Sequence, residues 1–250
     1  MAKRCNSTIT MPPKAPSRRA ALRGLAGLAL GALGPVASSR AEAAPAEKAP
    51  ADKPPADKPP APMPIAEALD ALARARQGLV ALAATFTQVR TIALLDEKVT
   101  SRGELTVACP DRLRWELAPP DDVVYWIGPE GASARVGQGK VTRIPREAGA
   151  LAGALGDVLA LVGGDLRTLA SRYAMTAEQF ASGAIRLVAT PNDAATKRAV
   201  ASLVLVTTPA RWGLARVELH EPGGDASVVA FENNRRNPPI DPARMRPPGG

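Results

Sequence analysis

The feature that most restricts the fold of this chain is a two-residue alternation of apolar and polar side chains over residues 104–117. It occurs in two runs, each followed by turn-forming residues. Successive side chains of a strand point to opposite faces, so each run predicts a strand with one buried face. Turns at this spacing predict an antiparallel meander. The apolar positions are Leu105, Val107, Cys109, Leu113, Trp115 and Leu117.

Two segments show helical spacing instead. A helix is predicted to start just after Pro64, and residues 150–172 predict a helix that ends at Gly163-Gly164, followed by a short helix capped by Asp165 and running through Arg172. The apolar stripe of the first helix is Ile65, Leu69, Leu72, Leu79 and Ala83. The stripe of the second helix is Leu151, Leu155, Val158, Leu159 and Val162.

Strands are predicted again over residues 184–190, 199–208, 214–221 and 226–234. The order is therefore one helix, several strands, two helices and several strands. This order favours an α+β fold with a single curved antiparallel sheet and helices packed on one side. No linker divides the strands into separate domains.

Two predicted strands, residues 123–127 and 203–206, are apolar on both faces. A strand with one solvent-exposed face should alternate between apolar and polar residues, so a strand that is apolar on both faces must be covered on both. Either each strand is sandwiched between a helix and the sheet, or the concave face of the sheet lines an apolar cavity.

The N-terminal 43 residues have the order of a secretory signal: Arg18-Arg19, an apolar stretch over 24–37, and Ala41-Glu42-Ala43 as a cleavage site. We expect cleavage there, so that the mature chain begins near Ala44. The paired arginines resemble a twin-arginine signal, and the general secretory route remains open. The alternative is an N-terminal anchor that is never cut.

Residues 44–64 contain eight prolines and a repeated Ala-Asp-Lys-Pro-Pro unit, a composition typical of an extended linker. The expected division is a signal peptide over 1–43, a linker over 44–64 and one folded domain over 65–250. Residues 1–43 hold seven of the 32 basic and one of the 24 acidic residues, so they supply +6 of the net charge of +8. The folded part lacks the basic surface of a nucleic-acid-binding protein.

The composition also argues against most catalytic chemistry. One histidine and two cysteines make a histidine metal site or a disulfide framework improbable, and no nucleophile-elbow, P-loop or dinucleotide-binding motif occurs. We expect no enzyme activity, no metal and no cofactor. No apolar run is long enough to predict a membrane-spanning helix.

Several short motifs resemble the LolA family of periplasmic outer-membrane lipoprotein carriers. They are Ala84-Thr85-Phe86-Thr87-Gln88 after the first helix, Gly103-Glu104-Leu105-Thr106-Val107 followed by Pro110 to Trp115, Pro119-Pro120 before the next strand, and a closing segment from Asn234 to Pro248. The resemblance covers residues 65–248.

The resemblance implies a half-open, incomplete antiparallel β-barrel with helices as a lid over an apolar cavity on the concave side. It also implies a periplasmic, monomeric carrier of lipoprotein acyl chains. Its partners would be an inner-membrane ABC-type releasing complex and an outer-membrane acceptor. The residues expected to line the cavity are Phe86, Leu105, Val107, Leu113, Trp115, Tyr125, Ile127, Leu155 and Leu159.

The chain departs from the family pattern at Cys109, which stands where the family has an arginine that helps to hold the lid, and at Met245, which replaces a phenylalanine. The cavity would therefore be lined more by leucine, valine and alanine than by aromatic residues, and the passenger could be another lipid. The alternative function is a periplasmic protein-interaction or envelope-stress-sensing module with a similar half-barrel.

Overall fold

The computed structural model of this 250-residue chain describes residues 59–145, 156–157, 159–160 and 166–248. The predicted signal peptide and residues 44–58 of the predicted linker lie outside this part. Within it, no helix combines the length and the apolar character needed to cross a membrane.

The strands of the described part form one antiparallel sheet. In chain order they are β1 (Ala61–Met63), β2 (Ala81–Ile92), β3 (Glu97–Ala108), β4 (Arg112–Leu117), β5 (Val123–Gly128), β6 (Gly131–Val136), β7 (Thr142–Ile144), β8 (Tyr173–Gln179), β9 (Ile185–Pro191), β10 (Ser202–Thr207), β11 (Leu214–His220) and β12 (Ala226–Arg236).

The sheet consists of two meanders joined side by side. Its strand order is β1-β8-β9-β10-β11-β12-β2-β3-β4-β5-β6-β7, so the last strand, β12, pairs with the first long strand, β2. The end strands β1 and β7 do not pair with each other among the described residues, which leaves the sheet open. The predicted α+β fold with an open antiparallel sheet is confirmed.

Few helices accompany this sheet. They are α1 (Ile65–Ala75), α2 (Leu166–Arg172), α3 (Ala194–Lys197) and a 3-10 helix (Pro242–Met245), and residues 156–157 and 159–160 are also helical.

One face of the sheet carries a single hydrophobic core that runs across both meanders, and we call it the core face. Ala68, Ala71 and Leu72 of α1 join the core, as does Leu169 of α2. The two helices thus shield apolar strand side chains from water, which is the main driving force for their packing. Both contact β8.

The first helix is shorter than the apolar stripe predicts. It ends at Ala75, and Gly78 adopts φ +70°, a left-handed conformation that favours glycine and stops a helix. Leu79 lies in the connection and Ala83 in β2, where Ala83 pairs with Thr106 and Arg235. The prediction of a helical stripe through Ala83 was therefore wrong beyond Ala75.

The predicted strands after residue 180 correspond to β9–β12, and the short helix predicted through Arg172 corresponds to α2. Strand β8 was not predicted. Strand β1 belongs to the segment assigned to the linker, and Ala61–Met63 pair with Ala177–Gln179 at the edge of the sheet. Leu151, Leu155, Val158, Val162 and the Gly163-Asp165 turn lie outside the described residues.

The second face of β5 is covered by the C-terminal segment. Trp126 is 4% exposed, and its indole Nε1 donates a 3.0 Å hydrogen bond to the carbonyl oxygen of Arg244. Met245 of the 3-10 helix is 2% exposed. Strand β5 is therefore apolar on both faces because the C-terminus packs behind it.

An apolar face with buried polar atoms

The strand residues predicted to bind lipid lie on the core face. Residues directly opposite each other in an antiparallel pair point to the same face, so the strand register places them in two cross-strand rows. The first row consists of Leu105, Trp115 and Tyr125, and the second of Val107, Leu113 and Ile127.

These residues are covered to different degrees. The five nearest the middle of the sheet are at most 3% exposed, namely Phe86, Leu105, Val107, Leu113 and Trp115. Tyr125 and Ile127 are partly buried and pack against the same core. Leu159 is 8% exposed and belongs to that core, whereas Leu155 lies outside the described residues. Their role in lipid binding stays a prediction.

Three aromatic rings form the centre of the core face. The ring centroids of Phe86 and Trp115 are 4.0 Å apart, and Phe231 lies 5.9 Å from Phe86 and 6.0 Å from Trp115. Sequence reasoning missed Phe231. Only its place in an alternating strand marked it as a core residue. Its contacts with Phe86 and Trp115 form because β12 pairs with β2.

Gly103 leaves the space that the Phe86 ring occupies. A Cβ atom at residue 103 would lie 2.5 Å from Cζ of Phe86 and 2.0 Å from the carbonyl oxygen of Glu116. Both distances are far below a normal contact. A glycine is therefore required here, next to the aromatic cluster.

Among the described residues, the side-chain atoms of the core face without a hydrogen-bond partner include Oε1 of Gln88, a residue that is 8% exposed, and Nε1 of Trp115, a residue that is 2% exposed. Nε of Arg90, two residues beyond Gln88 on the same face of β2, also has none. Gln88 lies opposite Val229, and two residues from Phe86 on the same face. Buried polar atoms of this kind are rare because leaving them unpaired costs free energy.

A buried carboxylate lies near the start of β8. Asp157 is 2% exposed and accepts hydrogen bonds from Nη1 of Arg172 at 2.6 Å and from the hydroxyl of Tyr173 at 2.5 Å. Burial raises the pKa of Asp157, while its two partners lower it by a smaller amount. Burial and the bond to Asp157 raise the pKa of Tyr173.

Arg76 lies beside Cys109 at the end of α1. Burial lowers the pKa of Arg76 to about 10, and the interaction with Cys109 opposes that shift. Burial also raises the pKa of the Cys109 thiol, and Arg76 opposes this change. A guanidinium group thus lies near the residue that replaces the family arginine, although it comes from a different element of the fold.

Two open surface cavities occur elsewhere. One has a volume of about 320 Å³ and lies between Val80, Arg112 and the C-terminal residues 238–246. The other has a volume of about 450 Å³ and lies between residues 59–67 and 179–181. Neither contains a residue predicted to bind lipid.

A family model described as "Outer membrane lipoprotein carrier protein LolA-like" matches residues 58–219. The match agrees with the resemblance found in the sequence motifs. No curated protein is similar enough in sequence to count as a relative.

Three solved structures are similar to this chain at low identity. A DUF1329 family protein from Desulfovibrio piger is 12% identical, with a TM-score of 0.43 and coverage of 73% of this chain and 97% of the other. A LolA superfamily protein from Nitrosomonas europaea is 10% identical, with a TM-score of 0.39 and coverage of 72% and 96%.

The third is the MucA/MucB complex of Pseudomonas aeruginosa, with 17% identity, a TM-score of 0.36 and coverage of 72% and 59%. Because the three TM-scores lie below 0.5, the fold assignment rests on the strand order of this chain itself.

Proposed function

Because the chain belongs to the LolA-like family of outer-membrane lipoprotein carrier proteins, we propose that it binds the acyl chains of lipoproteins, or of a related lipid, and carries them from the inner to the outer membrane. It does so without catalysis. The observation that carries the proposal is the continuous apolar core face of an open sheet.

The chemistry of that face suits an acyl passenger. Each methylene moved from water into an apolar site gains about 0.8 kcal/mol, so a long chain needs only apolar contacts to bind strongly. Phe86, Leu105 and Val107 offer such contacts on adjacent strands. None of these side chains has a chemical group that could react with a lipid.

The core face is covered by other parts of the chain. Three leucines of the helical segments pack on it, namely Leu72 of α1, Leu169 of α2, and Leu159, which precedes α2. An acyl chain therefore has to replace contacts of these helices, and part of its binding free energy is used to open them. This cost keeps the complex weak enough to release its cargo, as a carrier must.

We place the carrier in the periplasm, after cleavage of residues 1–43, with residues 44–58 as a linker. Its donor would be an inner-membrane releasing complex of the ABC type, and its acceptor would lie in the outer membrane. The intact mass of protein taken from the native envelope tests the first step. A mass matching a chain that starts near Ala44 supports cleavage, and retention of residues 20–43 would contradict it.

The direct test is release of a labelled tri-acylated lipoprotein from spheroplasts by the purified carrier. We expect release as a soluble one-to-one complex, and no release of the same protein without acyl chains. Leu159→Ser should weaken release, while the matched control Leu94→Ser, which changes a side chain that is 91% exposed, should not. Equal release of the acylated and de-acylated proteins would contradict the proposal.

A second candidate function, binding of a protein partner, is favoured by the turn between β2 and β3. Leu94 and Leu95 are 91% and 53% exposed there. The turn is held in place because the backbone N–H of Ala93 donates to Asp225 Oδ1 at 3.0 Å and that of Leu95 donates to the carbonyl oxygen of Ile92 at 3.1 Å. Exposed apolar side chains on an ordered turn are typical of interaction sites.

The two functions are separated by what each variant loses. If the turn serves a protein partner, a photo-reactive side chain at residue 94 should cross-link one defined envelope protein, and one at residue 136 should not. A cross-link from residue 94 but not from residue 136, in a protein that carries no lipid, would support the interaction module.

A further inference from the structure

An open groove lies behind the sheet, on the face opposite the core face. It is the cavity of about 320 Å³ between Val80 and residues 238–246, and we call it the C-terminal groove. Ala81 and Ala108 line it and lie opposite each other on β2 and β3, whereas Leu82, the next residue, belongs to the core. Because successive strand residues point to opposite faces, the two alanines point away from the core. A ligand in the groove would therefore not compete for the core face.

The C-terminal groove is built from ordered, mostly apolar parts. Short alanine side chains leave room above the sheet, and the C-terminal segment forms the other wall, where Pro238 and Pro242 restrict the backbone. The backbone N–H of Val80 donates to Oδ1 of Asn237 at 2.9 Å, which fixes the exposed valine at the edge of the groove. The volume lies at the lower end of the range for ligand pockets, about 300–1,000 Å³, so it suits a short segment with one or two apolar side chains.

The edge of the groove is positively charged. Arg112 and Arg246 both line it. Arg112 donates to the two carboxylate oxygens of Glu130 at 2.7 and 3.2 Å, so its charge is compensated. The side chain of Arg246 is exposed and makes no hydrogen bond or ion pair with the described residues. Nη2 of Arg143 donates to the carbonyl oxygen of Glu130 at 2.7 Å, which adds a third guanidinium group beside this single carboxylate.

The C-terminal segment has the same excess of positive charge. Residues 236–246 include Arg236, Arg244 and Arg246, against one acidic residue, Asp241. The carboxylate of Asp241 already accepts a hydrogen bond from the backbone N–H of Ala243 at 2.9 Å. Such an excess attracts anionic partners and steers their approach.

We propose that the C-terminal groove docks an acidic segment of a protein partner. An apolar side chain of that segment lies between Val80 and Ile240, and a carboxylate next to it pairs with Arg246. The apolar side chain supplies most of the affinity, since a buried anchor in a pocket usually does, and the charges supply specificity and speed of association. The proposal goes beyond the carrier function, because the groove and the core face lie on opposite sides of the sheet.

The concave shape favours a protein segment over a membrane as the occupant. Proteins that lie on a bilayer bury projecting apolar side chains at the acyl boundary. In the groove the apolar side chains surround a cavity instead, and Met245 within it is only 2% exposed. A cavity of this kind receives a side chain from the partner.

The probe for the groove is a fluorescent hexapeptide, Asp-Glu-Leu-Phe-Glu-Asp, whose binding to the purified protein is measured by fluorescence anisotropy. One control peptide has serine in place of leucine and phenylalanine, and another has asparagine and glutamine in place of the acidic residues. We expect each control peptide to bind at least about tenfold more weakly than the probe. Binding of the probe should also weaken as salt is added, since exposed charges are screened.

Two variants test the apolar and the charged part of the groove separately. Ile240→Ser should weaken probe binding about tenfold, because an apolar contact is lost. Its matched control is Val136→Ser, an exposed valine at the opposite end of β6 from the Glu130 turn. Arg246→Gln should weaken binding about three- to fivefold, as expected for an exposed ion pair. Its matched control is Arg198→Gln, which changes an exposed arginine next to α3.

Both control variants should bind the probe within about twofold of the wild type, and circular dichroism checks that every variant is folded. Equal binding of the three peptides, or no binding of the probe, overturns the docking site and leaves the carrier function standing. Unchanged binding to folded Ile240→Ser and Arg246→Gln also overturns it. The same holds if the protein ignores the probe but co-sediments with phosphatidylglycerol vesicles and loses this property in Arg246→Gln, because the groove would then serve a membrane.

Discussion

Asp157 and Tyr173 are joined by a 2.5 Å hydrogen bond in which the tyrosine hydroxyl donates to a carboxylate that is 2% exposed. The bond attaches the helical residues 156–157 to the start of β8. Within the described residues, Arg172 is the only charged side chain that also bonds this carboxylate.

The raised pKa of Asp157 predicts a pH-dependent stability. Its folded-state pKa lies above the ordinary pKa of an aspartate, so protonation favours the folded state, and this contribution is complete below that ordinary value. It is lost as the pH rises through the folded-state pKa. The wild type should therefore lose stability relative to Asp157→Asn between acidic and neutral pH. Chemical denaturation of both proteins over a pH series measures the difference. A difference that changes in the opposite direction would mean that Arg172 and Tyr173 outweigh burial.

Removing the hydroxyl of Tyr173 should destabilise the fold. Tyr173→Phe leaves one oxygen of the buried Asp157 carboxylate without its partner, which costs about 1–3 kcal/mol. Urea unfolding at neutral pH measures the loss. In the Asp157→Asn background the cost of Tyr173→Phe should differ from its cost in the wild type, because the two side chains are coupled.

Gly103→Ala should be among the most damaging small substitutions. The new Cβ would overlap the Glu116 carbonyl oxygen, which belongs to the backbone of a paired strand and cannot move aside. We expect a loss of about 3 kcal/mol or more. Gly223→Ala is the control, since a Cβ there would meet nothing within 4 Å, and it should change the stability by less than about 0.5 kcal/mol. Additional truncation of Phe86 should not restore the stability of Gly103→Ala, because the overlap with the Glu116 carbonyl oxygen remains.

Leucine-to-alanine substitutions should separate the core face from the exposed turn. Leu105 is 0% exposed, so Leu105→Ala should cost about 2–5 kcal/mol. Leu94 is 91% exposed, so Leu94→Ala should change stability by less than about 0.5 kcal/mol. Thermal unfolding of the two variants provides the comparison, and similar losses would mean that the turn is covered in solution.

Cys109 should react slowly with alkylating reagents. The thiolate is the reactive form, and burial raises the pKa of this thiol. In a chain that starts at Ala44, Cys109 is the sole cysteine, so the rate of iodoacetamide incorporation reports on it alone. Arg76→Met should slow the reaction further because the cation that opposes the pKa increase is lost, and Arg76→Lys should restore part of the rate. Faster alkylation in a folded Arg76→Met variant would contradict this account.

The parts of the fold that the sequence predicted well were those in which local pattern and tertiary role agree. In β11, for example, Val217 packs on the core while its neighbour Arg216 is exposed, and the sequence alternates accordingly.

Strand β8 was missed although Tyr173, Met175 and Ala177 alternate toward the core, because this short run follows α2 without a turn. Its pairing with β1 and β9 identifies it as a strand. The first helix was overextended because Leu79 and Ala83 are buried for reasons unrelated to helical spacing.

The same distinction applies to the candidate site. The alternation of β3 and β4 was sufficient to place Leu105, Val107 and Trp115 on one face. Their aromatic neighbour Phe231 follows only from the pairing of β12 with β2, which no local pattern encodes. Asp157 gave no signal at all, since a single acidic residue in a helical stretch is normally on the surface.

The pairing of β12 with β2 also determines when this protein can fold. Thr85 and Glu232, which lie opposite each other there, are 147 residues apart in the chain. Contacts between such distant segments form slowly, since the intervening loop must first be closed at a cost in entropy. A chain synthesised from its N-terminus therefore presents β2 long before β12 is available. During that interval one edge of β2 is unpaired and the core face is incomplete, so backbone groups and apolar side chains that the finished fold covers are exposed to other chains.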